Sequence, residues 1–259
     1  MKGVIIDRTG DIKLNNYGSE MKIYQYRTNK DMDIMFTKSK CIIYNVKYND
    51  FKTGSIKSPY ETRTFGIGYL GQGKYETVID GKKSKAYSTW LGIMARCYNL
   101  KVKEGRPTYI GCSISDEWLN FQTFAEWHIN NYYEIKDNKM NLDKDILNKG
   151  NKIYSKENCI FVPSNINCMF TKTDAKRRKY PIGVCQVSGR KTEGGYRASC
   201  CNGRKNKIYL GVYQTPEKAF DIYKEYKERT IKLVADEYKD RIPTKLYDAL
   251  NSYIVEITD

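Results

Sequence analysis

The sequence predicts an α+β chain in three parts. A small β-rich domain spans residues 1–80, a central helical domain spans 85–172 and ends in a hairpin followed by a helix, and residues 178–259 place a three-stranded sheet on a helix. Three observations predict it. Short runs rich in Ile, Tyr, Val and Phe, broken by turn formers, fill the first part; apolar residues recur at helical spacing from Ser88; short β-runs return after Tyr180, ahead of a long helical pattern.

In the first part the β-runs are 21–27, 32–37 and 41–48, separated by Thr28-Asn29-Lys30 and Lys38-Ser39. Their β-branched and aromatic content predicts a small sheet or barrel. Gly54, Gly66, Gly68, Gly71 and Gly73 then punctuate a stretch that reads as a loop-rich exit and linker. Trp90, Ile93, Met94 and Tyr98, and then Phe121, Phe124, Ala125 and His128, predict two amphipathic helices flanking the loop 100–116. His128 is the chain's only histidine, and its place on an apolar stripe predicts a buried, hydrogen-bonded imidazole.

Charge bounds the partner. With 45 Lys and Arg against 30 Asp and Glu, the formal net charge is +15, which favours an anionic partner, and nucleic acid is the commonest of these. No apolar run long enough to span a bilayer, no basic amphipathic helix and no lipidation signal is present, so membrane binding is not expected. The opening MKGVIIDRTG is neither signal peptide nor anchor, which predicts a cytoplasmic protein. The eight cysteines are scattered and do not form the spacing of a secreted disulfide framework.

The stretch 142–167, LDKDILNKGNKIYSKENCIFVPSNIN, concentrates the candidate chemistry. Asp143 and Asp145 sit in an apolar-flanked run, Gly150-Asn151 makes a turn, 159–162 is a second apolar run, and Pro163-Ser164 opens a helix bearing Asn165 and Asn167. Together with TWLGIMARCYN and YIGCSISDEWLNFQTFAEW before it, this segment resembles the HNH (His-Me finger) proteins encoded by bacteriophages, often free-standing homing-type endonucleases. The resemblance covers roughly residues 85–170 and implies a ββα-metal finger acting on DNA, in a phage-encoded protein working in a bacterial cell. It places Asp143 as the first-strand metal ligand, Asn158 as the residue that staples the hairpin, and Asn167 as the ligand on the helix, holding one Mg²⁺ or Mn²⁺. Lys144 stands where the family has its catalytic His. A lysine is protonated near neutral pH and suits a phosphate contact better than a base. Asp145, Tyr154 and metal-bound hydroxide remain as bases, and the sequence does not choose among them. Cys97, Cys112 and Cys159 fall at cysteine positions that the resemblance links to a structural Zn²⁺, but Ser115 stands at the fourth and serine is a poor ligand. Small buried thiols are the simpler expectation for them.

A basic bridge follows, with Arg177 and Arg178 at its centre. Beyond it PIGVCQV, YRASCC and KIYLGVYQ read as three strands, with turn signals at Gly194-Gly195 and Asn202-Gly203. Thr215 caps a helix with Pro216 at its first position and an apolar face of Ala219, Tyr223, Tyr226, Leu233 and Val234. A further helix from Ile242 carries Leu246, Leu250 and Tyr253. This segment, over about 180–238, resembles the Apetala2/ERF-type DNA-binding domain, which implies a sheet whose open face lies in the major groove of double-stranded DNA. That face draws on Gln186, Arg190, Lys191, Arg197, Arg204, Lys205, Lys207 and Tyr209, the arginines suited to guanine edges and the lysines to phosphate. Two functions follow as expectations: a metal-dependent DNA endonuclease or nickase of homing type, or a DNA-binding regulator derived from such a nuclease that no longer cleaves.

Overall fold

The computed structural model describes residues 6–170, 180–189, 192–202 and 206–257. The chain forms two compact units, one of residues 1–105 with 114–129 and one of 106–113 with 130–259. The class is α+β, with an amino-terminal sheet, a central helical region and a carboxy-terminal three-stranded sheet on a long helix. No helix among the described residues is long and apolar enough to cross a membrane.

In the first unit β1 (Ile12–Leu14), β2 (Glu20–Thr28), β3 (Asp31–Phe36) and β4 (Ile42–Val46) form an antiparallel meander in the order β1-β2-β3-β4, an open sheet and not a barrel. Period-two alternation turns Met21, Ile23, Met32, Ile34 and Phe36 to one face, where Phe51 of α1 (Tyr48–Thr53) and Ile56 close the core. On β3 the Asp33 carboxylate is buried, and Arg27 bonds both it and Asp31 at 2.7–2.9 Å.

A two-stranded ribbon of β5 (Val78–Ile79) and β6 (Lys82–Lys83) leads into α2 (Lys85–Tyr98) and α3 (Leu100–Gly105). After β7 (Ser113–Ile114) come α4 (Asp116–Leu119) and α5 (Phe121–Asn131). The expected helical stripes are buried: Trp90, Ile93 and Met94 on α2, and Phe121, Phe124, Ala125 and His128 on α5. The indole of Trp90 donates to Trp118 O at 2.7 Å, which satisfies its buried N–H. The glycine-rich stretch packs on this layer. A Cβ at Gly68 would lie 2.5 Å from the Met94 side chain and 3.0 Å from Trp90.

In the second unit β8 (Met140–Asp143) pairs antiparallel with β10 (Ile160–Pro163), setting Asp143 opposite Ile160. The intervening loop contains β9 (Ile153–Tyr154), and α6 (Ser164–Asn167) follows β10 at once. β11 (Val184–Gly189), β12 (Thr192–Cys201) and β13 (Lys207–Tyr213) make the antiparallel sheet. Gly194 and Gly195 lie inside β12, with Gly195 opposite Val187, so they do not make the predicted turn. At the second turn signal the Asn202 side chain accepts from Asn206 N at 3.2 Å, and Gly203 lies outside the described residues.

The 23-residue α7 (Pro216–Tyr238) joins the sheet to the hairpin. Thr215 Oγ1 accepts from Lys218 N at 3.2 Å and Pro216 takes the first helical position, as the sequence predicts. The first half of α7 sets Phe220 and Tyr223 against Cys200 of the sheet and Val255 of the carboxy-terminal segment. The second half sets Ile231, Ala235 and Tyr238 against Ile160, Val162, Ile166 and Met169, and Leu246 and Leu250 of α8 (Thr244–Asn251) complete that core. Leu233, read as part of the apolar face, is 57% exposed, because the buried stripe passes through Lys227, Thr230 and Ile231 instead. Replacing Ile231 by Ala is expected to cost about 2–4 kcal/mol in urea unfolding, whereas Leu233→Ala stays within about 0.5 kcal/mol. Equal losses at the two positions would refute this packing.

Candidate functional site

Asp143 closes β8, and its Oδ1 accepts two backbone N–H groups of the turn that follows, Asp145 at 2.9 Å and Ile146 at 2.8 Å. That arrangement is an Asx turn, which aims the chain away from the strand and brings the Asp145 side chain beside that of Asp143. Burial, and next the charge of Asp145, push the Asp143 carboxyl up to about 6, although its two backbone hydrogen bonds pull the other way.

Lys144, between them in sequence, is buried, and its ammonium donates to Asn151 O at 2.8 Å and to Asp145 Oδ2 at 3.3 Å. Asn151 is the hub of the loop. Its Nδ2 donates to Lys144 O at 2.6 Å and Ile153 O at 2.8 Å, and its Oδ1 accepts from Ile153 N at 3.2 Å and Asn158 Nδ2 at 3.3 Å. Asn158 Oδ1 in turn accepts from Asn148 Nδ2 at 2.8 Å. Asp143, Lys144, Asp145 and Asn158 are therefore joined through one hydrogen-bonded loop. Asn148 and Asn151 complete it; Asn148 was not singled out in the sequence, and Asn151 was read there only as half of the Gly150-Asn151 turn. Gly150 itself takes φ +82°, which a side chain would strain.

Asn167 is the last residue of α6, whose first residue, Ser164, is tied to β8 by Asn141 Nδ2 to Ser164 Oγ at 2.7 Å and to the residue before β8 by Ser164 N to Lys139 O at 2.8 Å. The buried Ile166 locks the turn between these anchors and Asn167 into the core. Cys97, Cys112 and Cys159 are all buried. Among the described residues no group of three or more His, Cys, Asp or Glu side chains is gathered to hold a metal ion. His128 is buried as expected, with its Nε2 3.4 Å from Thr89 Oγ1. Burial first, and then the charge of Lys85, push its pKa down to about 4, so it is neutral at physiological pH.

The sheet presents the second set. Ala198 and Cys200 of β12 are buried, and alternation sends Arg197 to the face away from α7, where it is exposed in a row with Cys185 and Val212. Lys207 and Tyr209 of β13 are exposed too, Tyr209 to 63%. Arg177, Arg178, Arg190, Lys191, Arg204 and Lys205 lie outside the described residues.

The Lys144 ammonium bonds Asp145 at 3.3 Å, while the Asp143 carboxyl is raised by burial and by the charge of Asp145. Carboxylate oxygens are the donor type that Mg²⁺ and Mn²⁺ prefer. Compared with protein-family models, with curated proteins and with solved structures, the chain matches none.

Two pH responses follow, with opposite signs. Asp143 holds its proton more tightly folded than unfolded, so the second unit gains stability as pH falls through about 6 towards the ordinary value of 3.8. His128 holds its proton less tightly when folded, so the first unit loses stability as pH falls from 6.5 through about 4. Carboxyl carbon NMR is expected to show Asp143 titrating near 6 and moving down in Asp145→Asn. A midpoint that stays put would exclude the pairing. His128→Asn is expected to flatten the acid loss, which is on the order of 2 kcal/mol, in urea unfolding between pH 7 and 4.

Proposed function

We propose that this chain binds double-stranded DNA and acts on its backbone as a metal-dependent endonuclease or nickase of the HNH kind, with the Apetala2/ERF-like sheet as its addressing surface. The observation that carries the reading is the pair of facing carboxylates, Asp143 and Asp145, on a hairpin that runs directly into a short helix bearing Asn167. In this reading Asp143, Asp145 and Asn167 hold Mg²⁺ or Mn²⁺, and the bound cation supplies acidification of water and charge uptake on the leaving oxygen. Asn151 and Asn158 keep the loop rigid, which fixes the carboxylates before any substrate arrives. Arg197 and Lys207 contact the duplex from the open face, which suits a chain of net charge +15. The Zn²⁺ reading of Cys97, Cys112 and Cys159 has no complete ligand set among the described residues and plays no part in this chemistry.

Lys144 favours a second reading, a DNA-binding protein that does not cleave. Its buried ammonium is committed to Asn151 O and Asp145, so it serves as the structural cation of the loop and not as the base that the family places there.

Nicking of supercoiled plasmid separates the two. Asp143→Asn is the informative control, since an amide oxygen still accepts the two turn N–H groups while the charge is gone. With Mg²⁺ or Mn²⁺ the wild type is expected to nick, and the variant to lose on the order of 100-fold in rate while binding duplex unchanged. If both bind and both leave the plasmid supercoiled, the non-cleaving reading replaces the first. If neither binds duplex, both fall.

A further inference from the structure

The ribbon of β5 and β6 plays no part in the site described above, and its construction is that of a projecting contact element. The turn at its tip is Asp80-Gly81, with φ +50° and +71°, the two-residue left-handed turn that continues the twist of a hairpin. Every residue from Val78 to Lys83 is exposed, including Val78 at 49% and Ile79 at 54%. Among the described residues neither the Lys82 nor the Lys83 ammonium has a hydrogen-bond or ion-pair partner. A two-stranded hairpin with no apolar cover is marginal by itself, yet this one is anchored at both ends of its base. Gln122 of α5 clamps the backbone of Tyr75, accepting from its N–H and donating to its C=O, both at 2.9 Å. On the other strand Ser84 N donates to Thr77 O at 2.9 Å, extending the ladder, and Ser84 Oγ caps α2 by accepting from Tyr87 N at 3.2 Å. The base of the ribbon is thus fixed to α5 and to the start of α2, with its tip exposed.

The register pairs Val78 with Lys83 and Ile79 with Lys82. Directly paired residues share a face and neighbours along a strand alternate, so each face of the ribbon carries one β-branched side chain and one ammonium. A flat apolar partner would be met by one face, and an isolated anion by one lysine. A groove of a nucleic-acid duplex has two phosphate-lined walls and apolar sugar and methyl edges between them, and it is wide enough on its major side to admit a two-stranded ribbon.

We propose that the β5–β6 ribbon is a second duplex-binding element, which enters a groove with Lys82 and Lys83 reaching phosphates on opposite walls and Val78 and Ile79 resting against the floor edges. The proposal rests on DNA being the partner and adds to the sheet a contact made by the first unit. The test is fluorescence anisotropy of the full-length chain with a labelled duplex over a range of salt. Lys82→Gln with Lys83→Gln is expected to weaken binding about tenfold at low salt and to flatten the dependence of log K on log salt by about 2, the release expected for two phosphate contacts. Val78→Ser with Ile79→Ser is expected to weaken binding without changing the slope. An unchanged affinity and slope in the lysine pair, while Arg197→Gln with Lys207→Gln loses binding, overturns the ribbon inference alone. Absence of duplex binding by the wild type overturns it together with the reading it rests on. Loss of binding to phosphatidylserine vesicles in the lysine pair, with duplex binding untouched, overturns it in favour of a membrane surface.

Discussion

One continuous buried stripe on α7 serves two cores, and the organisation of the second unit depends on it. Phe220 and Tyr223 belong to the core under the three-stranded sheet, and Ile231, Ala235 and Tyr238 belong to the core under the hairpin and α6. Between them sits Lys227, buried, with its ammonium donating to Met169 O at 2.8 Å in the 3-10 turn that follows α6. Burial lowers the pKa of this lysine, and the thiols of Cys200, Cys201 and Cys168 oppose the shift. A buried ammonium bonded to a carbonyl is costly to leave without that partner. The turn that follows α6 is accordingly fixed to α7 by a polar contact as well as by packing. The carboxy-terminal segment adds a strap within the same unit: Lys224 donates to Val255 O at 2.6 Å and Lys149 of the hairpin loop to Ile254 O at 2.9 Å.

Electrostatics sorts the loop 144–159 into support and chemistry. Lys144 and the asparagines bond one another, the backbone and, from Lys144, the Asp145 carboxylate, so their contribution is rigidity. Asp143 and Asp145 are left as an acid pair whose mutual repulsion is only partly relieved by that lysine. Charge of opposite sign is then exposed on the open sheet face, at Arg197 and Lys207, and on the ribbon of the first unit, at Lys82 and Lys83.

Local signals in the sequence were legible, and non-local ones were not. The cap at Thr215 and Pro216, the β-run from Met21, and the helical stripes from Trp90 and Phe121 each depend on neighbours within one turn or strand, and the structure has them as read. β1 escaped notice because it is only three residues long, too short for its Ile-Lys-Leu alternation to stand out, and all three are exposed. Gly194-Gly195 looked like a turn because glycine marks both turns and places where a strand has no side chain to pack, and composition does not separate the two. Lys227 hid the true stripe of α7: a charge at a buried position breaks the apolar period, so Leu233 was drawn in and Ile231 left out. The acid pair was readable from its spacing. Its support was not, since the hub role of Asn151 arises only when Lys144, Ile153 and Asn158 are brought to it by the folded loop.

If α7 is the common spine, sheet and hairpin open together. Native-state hydrogen exchange of the full-length chain in increasing urea tests this most directly, by following the amides of Phe161 and Leu142 in the hairpin alongside those of Ala198 and Cys200 in the sheet. The account predicts that both sets converge on a single opening free energy with a common urea dependence. Hairpin amides that exchange through a separate, lower-energy opening while the sheet keeps full protection would contradict it.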